Sequence, residues 1–298
     1  MINKGLACAF PGQGIQKPGM AQPFLNTRSW RFFEEASELL GYDLGRLCLE
    51  GPSELLNDTA QAQPAIFVTC YALWDLWRDR YEPQIFLGHS LGEVTALAAA
   101  GAFSFADGVR LVAKRGQCMS QSSAPGGMLA ILGLDLATIH ELCAEINQQS
   151  YVQVANENSP QQIVVSGLED GLELLNTKAM ASGAKRVVRL NVSGPFHSQL
   201  MEPAAKEFAR TVYDLPINPC SIPVLSNDGK TLLQAPEQIR QNLVEQITNP
   251  VRFIASIRRL GELGITNFVE VSFEALLISL ARRIESGLQF ALVSGGGM

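Results

Sequence analysis

A serine lies between two glycines at the point where an apolar run of the sequence gives way to an alanine-rich one. Residues 85–87 are Ile-Phe-Leu, residues 88–92 are Gly-His-Ser-Leu-Gly, and no helix breaker follows until Gly101. Gly-x-Ser-x-Gly between a strand and a helix is the nucleophile-elbow pattern, in which a tight turn requires small neighbours and strains the serine backbone. The pattern predicts that Ser90 projects from a strand end beside a helix N-terminus, where unpaired N–H groups favour negative charge.

A serine hydroxyl is a weak nucleophile, so Ser90 needs a base within hydrogen-bonding reach. The chain contains three histidines. His89 adjoins the serine on a sharp turn and should point away from it, and His140 lies in an amphipathic helical pattern that favours a surface position. His197 lies in the Ser-Gly-Pro loop of NVSGPFHSQLM, and such loops commonly line clefts. We therefore expect His197 to be the base.

The order of these residues along the chain disfavours a full serine–histidine–acid triad. The α/β-hydrolases place an acidic residue between the serine and a histidine near the C-terminus. Here 101 residues follow His197 (298 − 197), and no acidic residue stands out as its partner. A serine–histidine dyad, with the imidazole oriented by a backbone carbonyl or amide, fits the sequence better.

The composition is that of a globular protein with a substantial core. With 298 residues, 47% of them hydrophobic, the chain is long enough for one large domain or two smaller ones. Twenty-three Lys and Arg against 29 Asp and Glu give a formal charge of −6 without a run of like charges. This pattern argues against a nucleic-acid partner, which would require a clustered basic face, although a local basic pocket could hold a phosphate-bearing ligand.

Cysteine usage and hydropathy indicate a cytoplasmic protein. No CxxC or Cys/His pattern occurs, so we expect buried thiols rather than disulfides or a metal site. The apolar patch near the N-terminus is too short for a signal peptide, and no apolar run approaches the roughly 20 residues that span a bilayer. We therefore expect no membrane association. The six cysteines are Cys8, Cys48, Cys70, Cys118, Cys143 and Cys220.

Strand and helix patterns alternate in the first half of the chain, which predicts an α/β fold around a mainly parallel sheet. Strands are predicted at 5–10 and 84–90, where the residues are apolar and mostly branched or aromatic. Helices are predicted at 30–40, 64–78, 94–100 and 106–120.

After residue 124 the predicted order becomes strand, helix, strand, strand, helix, strand, which is the order of a ferredoxin-like unit. The simplest arrangement is a small subdomain at 124–198 inserted into a large one formed by 1–123 and 199–290. Residues 291–298, which end in Ser-Gly-Gly-Gly-Met, are predicted to be a disordered tail.

Five separated motifs resemble those of malonyl-CoA:acyl-carrier-protein transacylases and of the acyltransferase domains of polyketide synthases, and they occur in the same order. The resemblance extends over nearly the whole chain. It implies an α/β-hydrolase-like large subdomain and a ferredoxin-like small one. The motifs are FPGQGIQ at 10–16, GHSLGE at 88–93, RGQCM at 115–119, GPFHSQLM at 194–201 and QITNPVRF at 246–253.

The resemblance implies a role for five of the residues in these motifs. Ser90 would attack the thioester of malonyl-CoA and carry the malonyl group as an ester, with His197 as general base and then general acid. The backbone N–H groups of Gln13 and Leu91 would form the oxyanion hole. The main-chain carbonyl of Gln246 would orient the histidine. The acceptor would be the phosphopantetheine thiol of an acyl carrier protein, and no bound cofactor or metal is implied.

Arg115 bears on the class of acyl group. In the family, the matching arginine holds the free carboxylate of the acyl group through a planar, bidentate pair. The alternative is a solvated helix arginine, which is how we interpret the neighbouring Arg110 and Lys114. A buried guanidinium facing a neutral acyl group would be left unpaired, so Arg115 predicts a dicarboxylic substrate.

Two further residues match substrate-binding positions of the family. Phe196 precedes the histidine, where a phenylalanine accompanies malonyl and a serine accompanies methylmalonyl in polyketide acyltransferases. The ring would occupy the space of an α-methyl group, which favours malonyl. Asn156, in VANENSP, resembles an asparagine near the substrate, and a turn asparagine is an equally good interpretation.

One motif departs from the family pattern. A Gly-Pro-Gly turn usually follows the late Glu-Val strand, whereas residues 270–277 here read EVSFEALL, with Ser-Phe-Glu at 272–274. We expect activity to persist and the shape of the cleft to change. The departure is more typical of a divergent or stand-alone polyketide enzyme than of a housekeeping fatty-acid one.

Two other functions compete with malonyl transfer. A thioester hydrolase of the same fold, which clears stalled acyl chains from carrier proteins, would tolerate neutral acyl groups, and Arg115 counts against it. A non-catalytic module that docks carrier proteins would have a broken dyad, whereas Ser90 and His197 are both present. The resemblance implies a monomer, since family members of this size are often monomers, and no exposed heptad pattern or long edge argues otherwise.

Overall fold

The structure is a computed structural model that describes residues 5–122 and 125–294. Its strands form two separate sheets. The strands are β1 (Leu6–Phe10), β2 (Ile85–Gly88), β3 (Gly127–Leu132), β4 (Val152–Ser159), β5 (Gln162–Gly167), β6 (Arg186–Arg189), β7 (Val224–Leu225), β8 (Leu232–Leu233), β9 (Asn267–Val271) and β10 (Gln289–Val293).

Helices cover both sheets. They are α1 (Arg31–Leu40), α2 (Leu44–Glu50), α3 (Ser53–Asn57), α4 (Thr59–Trp77), α5 (Leu91–Ala99), α6 (Phe105–Ser120), α7 (Leu136–Ile146), α8 (Glu169–Ala181), α9 (Glu202–Asp214), α10 (Pro236–Glu245), α11 (Phe253–Glu262) and α12 (Leu276–Ala281). Short 3-10 helices lie at Gln22–Phe24, Arg28–Trp30, Arg78–Arg80 and Gln199–Met201.

The first sheet has the order β10-β9-β1-β2-β7-β8 and is parallel except for the β7–β8 pair. The side chains of β1 alternate between two cores. Leu6, Cys8 and Phe10 pack with residues of α4, α5 and α6, whereas Ala7 and Ala9 pack with residues of α11 and α12. Both faces of the sheet are therefore covered, which explains why its central strands are apolar throughout.

The second sheet is antiparallel, has the order β4-β5-β3-β6, and has α7 and α8 on one face. The chain order β3-α7-β4-β5-α8-β6 and this strand order are those of a ferredoxin-like unit. The predicted α/β class, with a mainly parallel sheet and an inserted ferredoxin-like unit, is confirmed. The predicted subdomain boundary between 123 and 124 lies outside the described residues, and the boundaries at 198 and 199 stay a prediction.

Several predicted element limits were wrong. The helix predicted at 64–78 begins five residues earlier, because the Asp58 side chain caps it by accepting a hydrogen bond from the Ala60 N–H. Pro64 lies inside this helix. The predicted tail at 291–298 begins too early, since residues 291–293 belong to β10. Residues 295–298 lie outside the described residues.

Two glycines allow α5 to approach the ends of β1 and β2. A Cβ atom on Gly88 would lie 1.9 Å from the carbonyl carbon of Gly92. A Cβ atom on Gly92 would lie 1.9 Å from the carbonyl oxygen of Phe10. Such distances are far inside van der Waals contact, so both positions exclude any side chain. The close approach places the N-terminus of α5 directly on the carboxyl ends of the two central strands.

We predict that Gly92→Ala destabilises the protein by about 3 kcal/mol or more, because the added methyl group must displace the backbone of β1. Gly261→Ala is the matched control, since this glycine is also helical and nothing lies within 4 Å of its added Cβ atom. The control should gain up to about 1 kcal/mol from helix propensity. Chemical denaturation measures both free energies of unfolding, and equal effects would contradict the close approach.

Candidate active site

Ser90 lies between β2 and α5 in a strained backbone conformation, with φ 51° and ψ −111°. A positive φ is unfavourable for a residue with a Cβ atom, so the surrounding structure must hold it. Asn227 provides part of that support, because its Oδ1 accepts a hydrogen bond of 2.8 Å from the Ser90 N–H. The elbow predicted from the sequence is present.

His197 reaches Ser90 from the loop that follows the small sheet. Its Nε2 lies 2.8 Å from Ser90 Oγ, and its Nδ1 lies 2.9 Å from the carbonyl oxygen of Gln246 and 3.2 Å from that of Asn249. Because carbonyl oxygens only accept hydrogen bonds, Nδ1 carries the proton and Nε2 is free to accept one from the serine. This arrangement is a dyad whose histidine is oriented by backbone carbonyls.

The small subdomain holds the loop of His197 in place. Ser166 Oγ in β5 donates a hydrogen bond to the carbonyl oxygen of Phe196. Gln153 Nε2 in β4 donates to the carbonyl oxygen of His197 at 3.2 Å and to that of Thr248 at 3.1 Å. The histidine itself has a φ of 56° and is buried, so its unusual backbone conformation is fixed by the neighbouring sheet.

Burial keeps His197 neutral. Loss of solvation lowers the pKa of His197 to about 3, and the positive charge of Arg115 contributes in the same direction. A neutral imidazole is the form that can accept a proton, so His197 is in its basic form across the physiological pH range.

The other two histidines lie where the sequence predicted. His89 points away from Ser90, with its Nε2 2.8 Å from Asn158 Oδ1 in β4, and this hydrogen bond joins the two subdomains. His140 is exposed on α7.

Arg115 extends from α6 into the site and is 1% exposed, so the interpretation as a solvated helix arginine is wrong. Its Nη1 donates to Gln63 Oε1 at 2.9 Å. Its Nη2 donates to Gln246 Oε1 at 2.8 Å and to Ser90 Oγ at 3.2 Å. The guanidinium therefore contacts the same serine oxygen as His197. Lys114 is paired with Glu207 on the surface of the helix.

The guanidinium of Arg115 is free to bind an anion. Within residues 5–122 and 125–294, no carboxylate oxygen lies within 4.0 Å of it, and its buried Nε lacks a hydrogen-bond partner. Burial lowers the pKa of Arg115 to about 10, the negative charge of Glu93 acts in the opposite direction, and the group stays protonated at neutral pH. A buried cation held by neutral amides beside a serine is a site for a negatively charged group.

Gln13 and Leu91 lie just beyond the carboxyl ends of neighbouring strands. Phe10 of β1 is paired with Gly88 of β2, and a turn follows each strand at the sheet edge. The turn after β1 packs against the turn after β2, since a Cβ atom on Gly12 would lie 2.6 Å from the His89 carbonyl oxygen. Leu91 is the first residue of α5, so its N–H belongs to the helix donors without an intrahelical acceptor.

Phe196 and Asn156 are both buried. Phe196 directly precedes His197, and its ring contributes to the main core. Asn156 belongs to β4 and forms a bridge with Val251, so the interpretation as a turn asparagine is wrong. No described hydrogen bond joins it to Ser90, and its contact with substrate stays a prediction.

The loop at 272–274, where the usual Gly-Pro-Gly turn is replaced by Ser-Phe-Glu, contacts the segment after the Gly-Gln-Gly turn. Lys17 forms an ion pair with Glu274 and lies 6.0 Å from the centroid of the Phe273 ring. The side chains of Phe273 and Glu274 thus connect this loop to the one that carries Gln13. The effect on the cleft stays a prediction.

Three polar residues of the site were not predicted from the sequence. Glu93, Asn227 and Gln63 are buried and hydrogen-bonded to the residues described above. Only Glu93 could have been recognised from the sequence, because a carboxylate in the first turn of an otherwise apolar helix requires hydrogen-bonding partners when the helix is buried. Asn227 and Gln63 lie in segments without a distinguishing pattern.

Comparisons with known proteins agree with this geometry. The sequence profile of the acyl transferase domain matches residues 9–289. The chain is 39% identical over 295 residues to the malonyl CoA-acyl carrier protein transacylase of Bacillus subtilis (strain 168), an alignment that covers 97% of this chain and 93% of that protein. The chain belongs to the malonyl-CoA:acyl-carrier-protein transacylase family. The resemblance noted from its five motifs is confirmed.

Solved structures of this transacylase family have the same fold. An acyl carrier protein S-malonyltransferase from Vibrio cholerae matches with a TM-score of 0.94 and 37% identity, over 98% of this chain and 97% of that one. A malonyl-transacylase in complex with its type II polyketide synthase acyl-carrier protein matches with a TM-score of 0.94 and 36% identity, over 98% and 96%. The similar proteins thus include one whose carrier protein belongs to a polyketide synthase.

We predict that Ser90 stays reactive in mild acid. Because the pKa of His197 is lowered, its neutral form persists as the pH falls, and the acid limb of the reaction shifts to lower pH. A fluorophosphonate, which forms an Oγ–P bond and releases fluoride, should label Ser90 at the same rate at pH 8 and pH 6. A histidine with an ordinary pKa would lose about fourfold in rate by pH 6.

Intact-protein mass spectrometry measures this rate, and Ser90→Ala is the control that must remain unlabelled. A labelling rate that falls with a midpoint near the ordinary histidine pKa would show that His197 is solvated in the working protein.

Proposed function

We propose that this protein transfers a malonyl group from malonyl-CoA to the phosphopantetheine thiol of an acyl carrier protein, through an ester on Ser90. One observation carries the proposal: the buried, positively charged Arg115 donates a hydrogen bond of 3.2 Å to the nucleophile oxygen. A carboxylate attached one carbon from the reacting carbonyl would meet that guanidinium while the carbonyl meets Ser90. Similarity to malonyl-transacylases over nearly the whole chain supports the same reaction.

In the first half-reaction, His197 Nε2 takes the proton of Ser90 Oγ as the oxygen attacks the thioester carbonyl carbon. The backbone N–H groups of Gln13 and Leu91 stabilise the oxyanion of the tetrahedral intermediate, each by about 3–4 kcal/mol. The carbon–sulfur bond then breaks, and the imidazolium returns its proton to the sulfur, so that CoA leaves as a thiol. The malonyl group remains as an ester of Ser90.

The second half-reaction runs the same chemistry in reverse with another thiol. His197 Nε2 takes the proton of the phosphopantetheine thiol, and the sulfur attacks the ester carbonyl carbon. The carbon–oxygen bond to Ser90 breaks, and the proton passes from the imidazolium to the serine oxygen. The carrier protein leaves with a malonyl thioester, and no bound cofactor or metal takes part.

The specificity for the acyl group follows from the side chains that surround it. A malonyl carboxylate pairs with Arg115, whereas an acetyl group covers the guanidinium without supplying an anion and forgoes the several kcal/mol of that buried pair. The Phe196 ring opposes an α-methyl group and disfavours methylmalonyl by about 1–3 kcal/mol. Asn156 completes the set of substrate-binding residues in this proposal.

We further propose the subdomain organisation, oligomeric state and cellular location of the protein. Residues 1–123 and 199–290 form the catalytic subdomain, and residues 124–198 form the small subdomain that supports His197. The protein acts as a monomer in the cytoplasm, a reducing compartment that fits its six buried, free cysteines. No helix of the described part of the chain is long and apolar enough to cross a bilayer.

We predict that brief mixing with malonyl-CoA leaves one malonyl group on Ser90 and that an added holo carrier protein removes it faster than water does. Mass spectrometry of both proteins follows the group. Ser90→Ala should form no adduct, and His197→Ala should slow adduct formation by about 10²–10⁴-fold.

Two results would overturn the proposal in different ways. Release of CoA and free malonate without a lasting adduct would identify a thioester hydrolase. Binding of carrier protein with neither adduct nor CoA release would identify a docking module without chemistry.

A further inference from the structure

Glu93 is a fully buried carboxylate that the reaction steps above do not use. It is the third residue of α5 and lies three positions after Ser90, with a side chain that is 0% exposed. An isolated buried carboxylate is costly, so its partners indicate why the fold retains it.

Four N–H groups surround this carboxylate. Glu93 Oε2 accepts hydrogen bonds from the backbone N–H of Asn227 at 2.5 Å and from the Nδ2 of the same residue. Glu93 Oε1 accepts from Asn242 Nδ2 and, at 2.8 Å, from Gln246 Nε2. All four partners are donors, and a protonated carboxyl group would have no acceptor for its own proton. Burial raises the pKa of Glu93, and the four donors oppose that shift and favour the ionised form.

Asn227 connects Glu93 to the nucleophile, Ser90. With its Nδ2 held by Glu93, its Oδ1 faces the other way and accepts the Ser90 N–H at 2.8 Å. The same Nδ2 also donates to the carbonyl oxygen of Gly88 at 3.0 Å. The Asn227 amide therefore holds the elbow backbone at two points, the Gly88 carbonyl and the Ser90 N–H.

Gln246 connects Glu93 to the base, His197, and to the cation, Arg115. Its Nε2 donates to Glu93 and, at 3.1 Å, to the carbonyl oxygen of Ser90. This orientation leaves Gln246 Oε1 to accept from Arg115 Nη2 at 2.8 Å. The main-chain carbonyl of the same residue accepts from His197 Nδ1. One glutamine therefore connects the carboxylate to the guanidinium and the imidazole.

We propose that Glu93 is a positioning residue of the transfer reaction, which through Asn227 and Gln246 fixes Ser90, His197 and Arg115 relative to one another. Its negative charge also balances the positive charge of Arg115 while the acyl site is empty. The inference rests on the proposed function only for the identity of the acyl group, since the alignment of Ser90 and His197 matters to any electrophile.

The test is Glu93→Gln, which keeps the size of the side chain but places an NH₂ group against N–H donors. The maximal rate of Ser90 acylation by malonyl-CoA should fall by about 10²-fold or more, because the nucleophile and base lose their alignment. The half-saturating concentration of malonyl-CoA should not rise, because Arg115 keeps its bond to Gln63 and no longer shares the site with a second negative charge. General structural damage would raise that concentration.

Asp75→Asn is the matched control. Asp75, on α4, is also a buried carboxylate, 3% exposed, but it contacts Ser29 and the surface arginines Arg28, Arg31 and Arg78, away from the nucleophile. This variant should lose stability and keep the acylation rate per folded molecule.

Labelling by a fluorophosphonate separates the two proposals, because it needs Ser90 and His197 but not Arg115 or malonyl-CoA. Glu93→Gln should lower this labelling rate as well. If the wild-type protein reacts with the fluorophosphonate but forms no malonyl ester, the function is wrong, and slower labelling of Glu93→Gln still supports the positioning role.

A folded Glu93→Gln protein within about threefold of the wild-type acylation and labelling rates would overturn the inference. If that variant does not fold, Asn227→Ala decides, since it keeps the carboxylate but removes the side-chain amide that accepts from the Ser90 N–H and donates to Glu93 and to the Gly88 carbonyl. The expected result is the same loss of maximal rate without a rise in half-saturation, and a wild-type rate would overturn the inference.

Discussion

The side chain and carbonyl of Gln246 make the contacts on which the rest of the site depends. The amide lies between two buried opposite charges, accepting from Arg115 and donating to Glu93, while the main-chain carbonyl orients His197. A buried cation or carboxylate alone is strongly destabilising, and the pair becomes tolerable because each charge is hydrogen-bonded and the two compensate. Backbone carbonyls orient the histidine, and we propose that the positive charge of Arg115 is thereby left for the substrate.

The backbone supplies the other constraint. α5 can begin directly on the strand ends only because Gly88 and Gly92 lack side chains. That approach strains Ser90, and the strain is held by the Asn227 side chain from another part of the chain. The small subdomain contributes by fixing the His197 loop through Ser166 and hydrogen-bonding His89. Reactivity at one serine thus depends on both subdomains.

Much of the fold and of the site can be predicted from the sequence, and the elements and residues that cannot be predicted have physical reasons. The strands around Ser90 and the ferredoxin-like order follow from short-range apolar patterns, and the motifs single out Ser90, His197 and Arg115. The two-residue strands β7 and β8 lack such a pattern, because pairing with neighbours defines them. Asn227 could not be recognised either, since its role arises from a contact 137 residues away along the chain.

We propose that the charge of Arg115 selects a dicarboxylic acyl group. The most direct measurement is the ratio of acylation rate constants, kcat/KM, for malonyl-CoA and acetyl-CoA, in the wild-type protein and in Arg115→Ala. Because both substrates share CoA and the same nucleophile, the ratio cancels differences in the folded fraction. We expect a strong wild-type preference for malonyl-CoA that falls by about 10²–10³-fold in the variant. Equal acylation by acetyl-CoA in the wild type, or a ratio unchanged by the substitution, would contradict it.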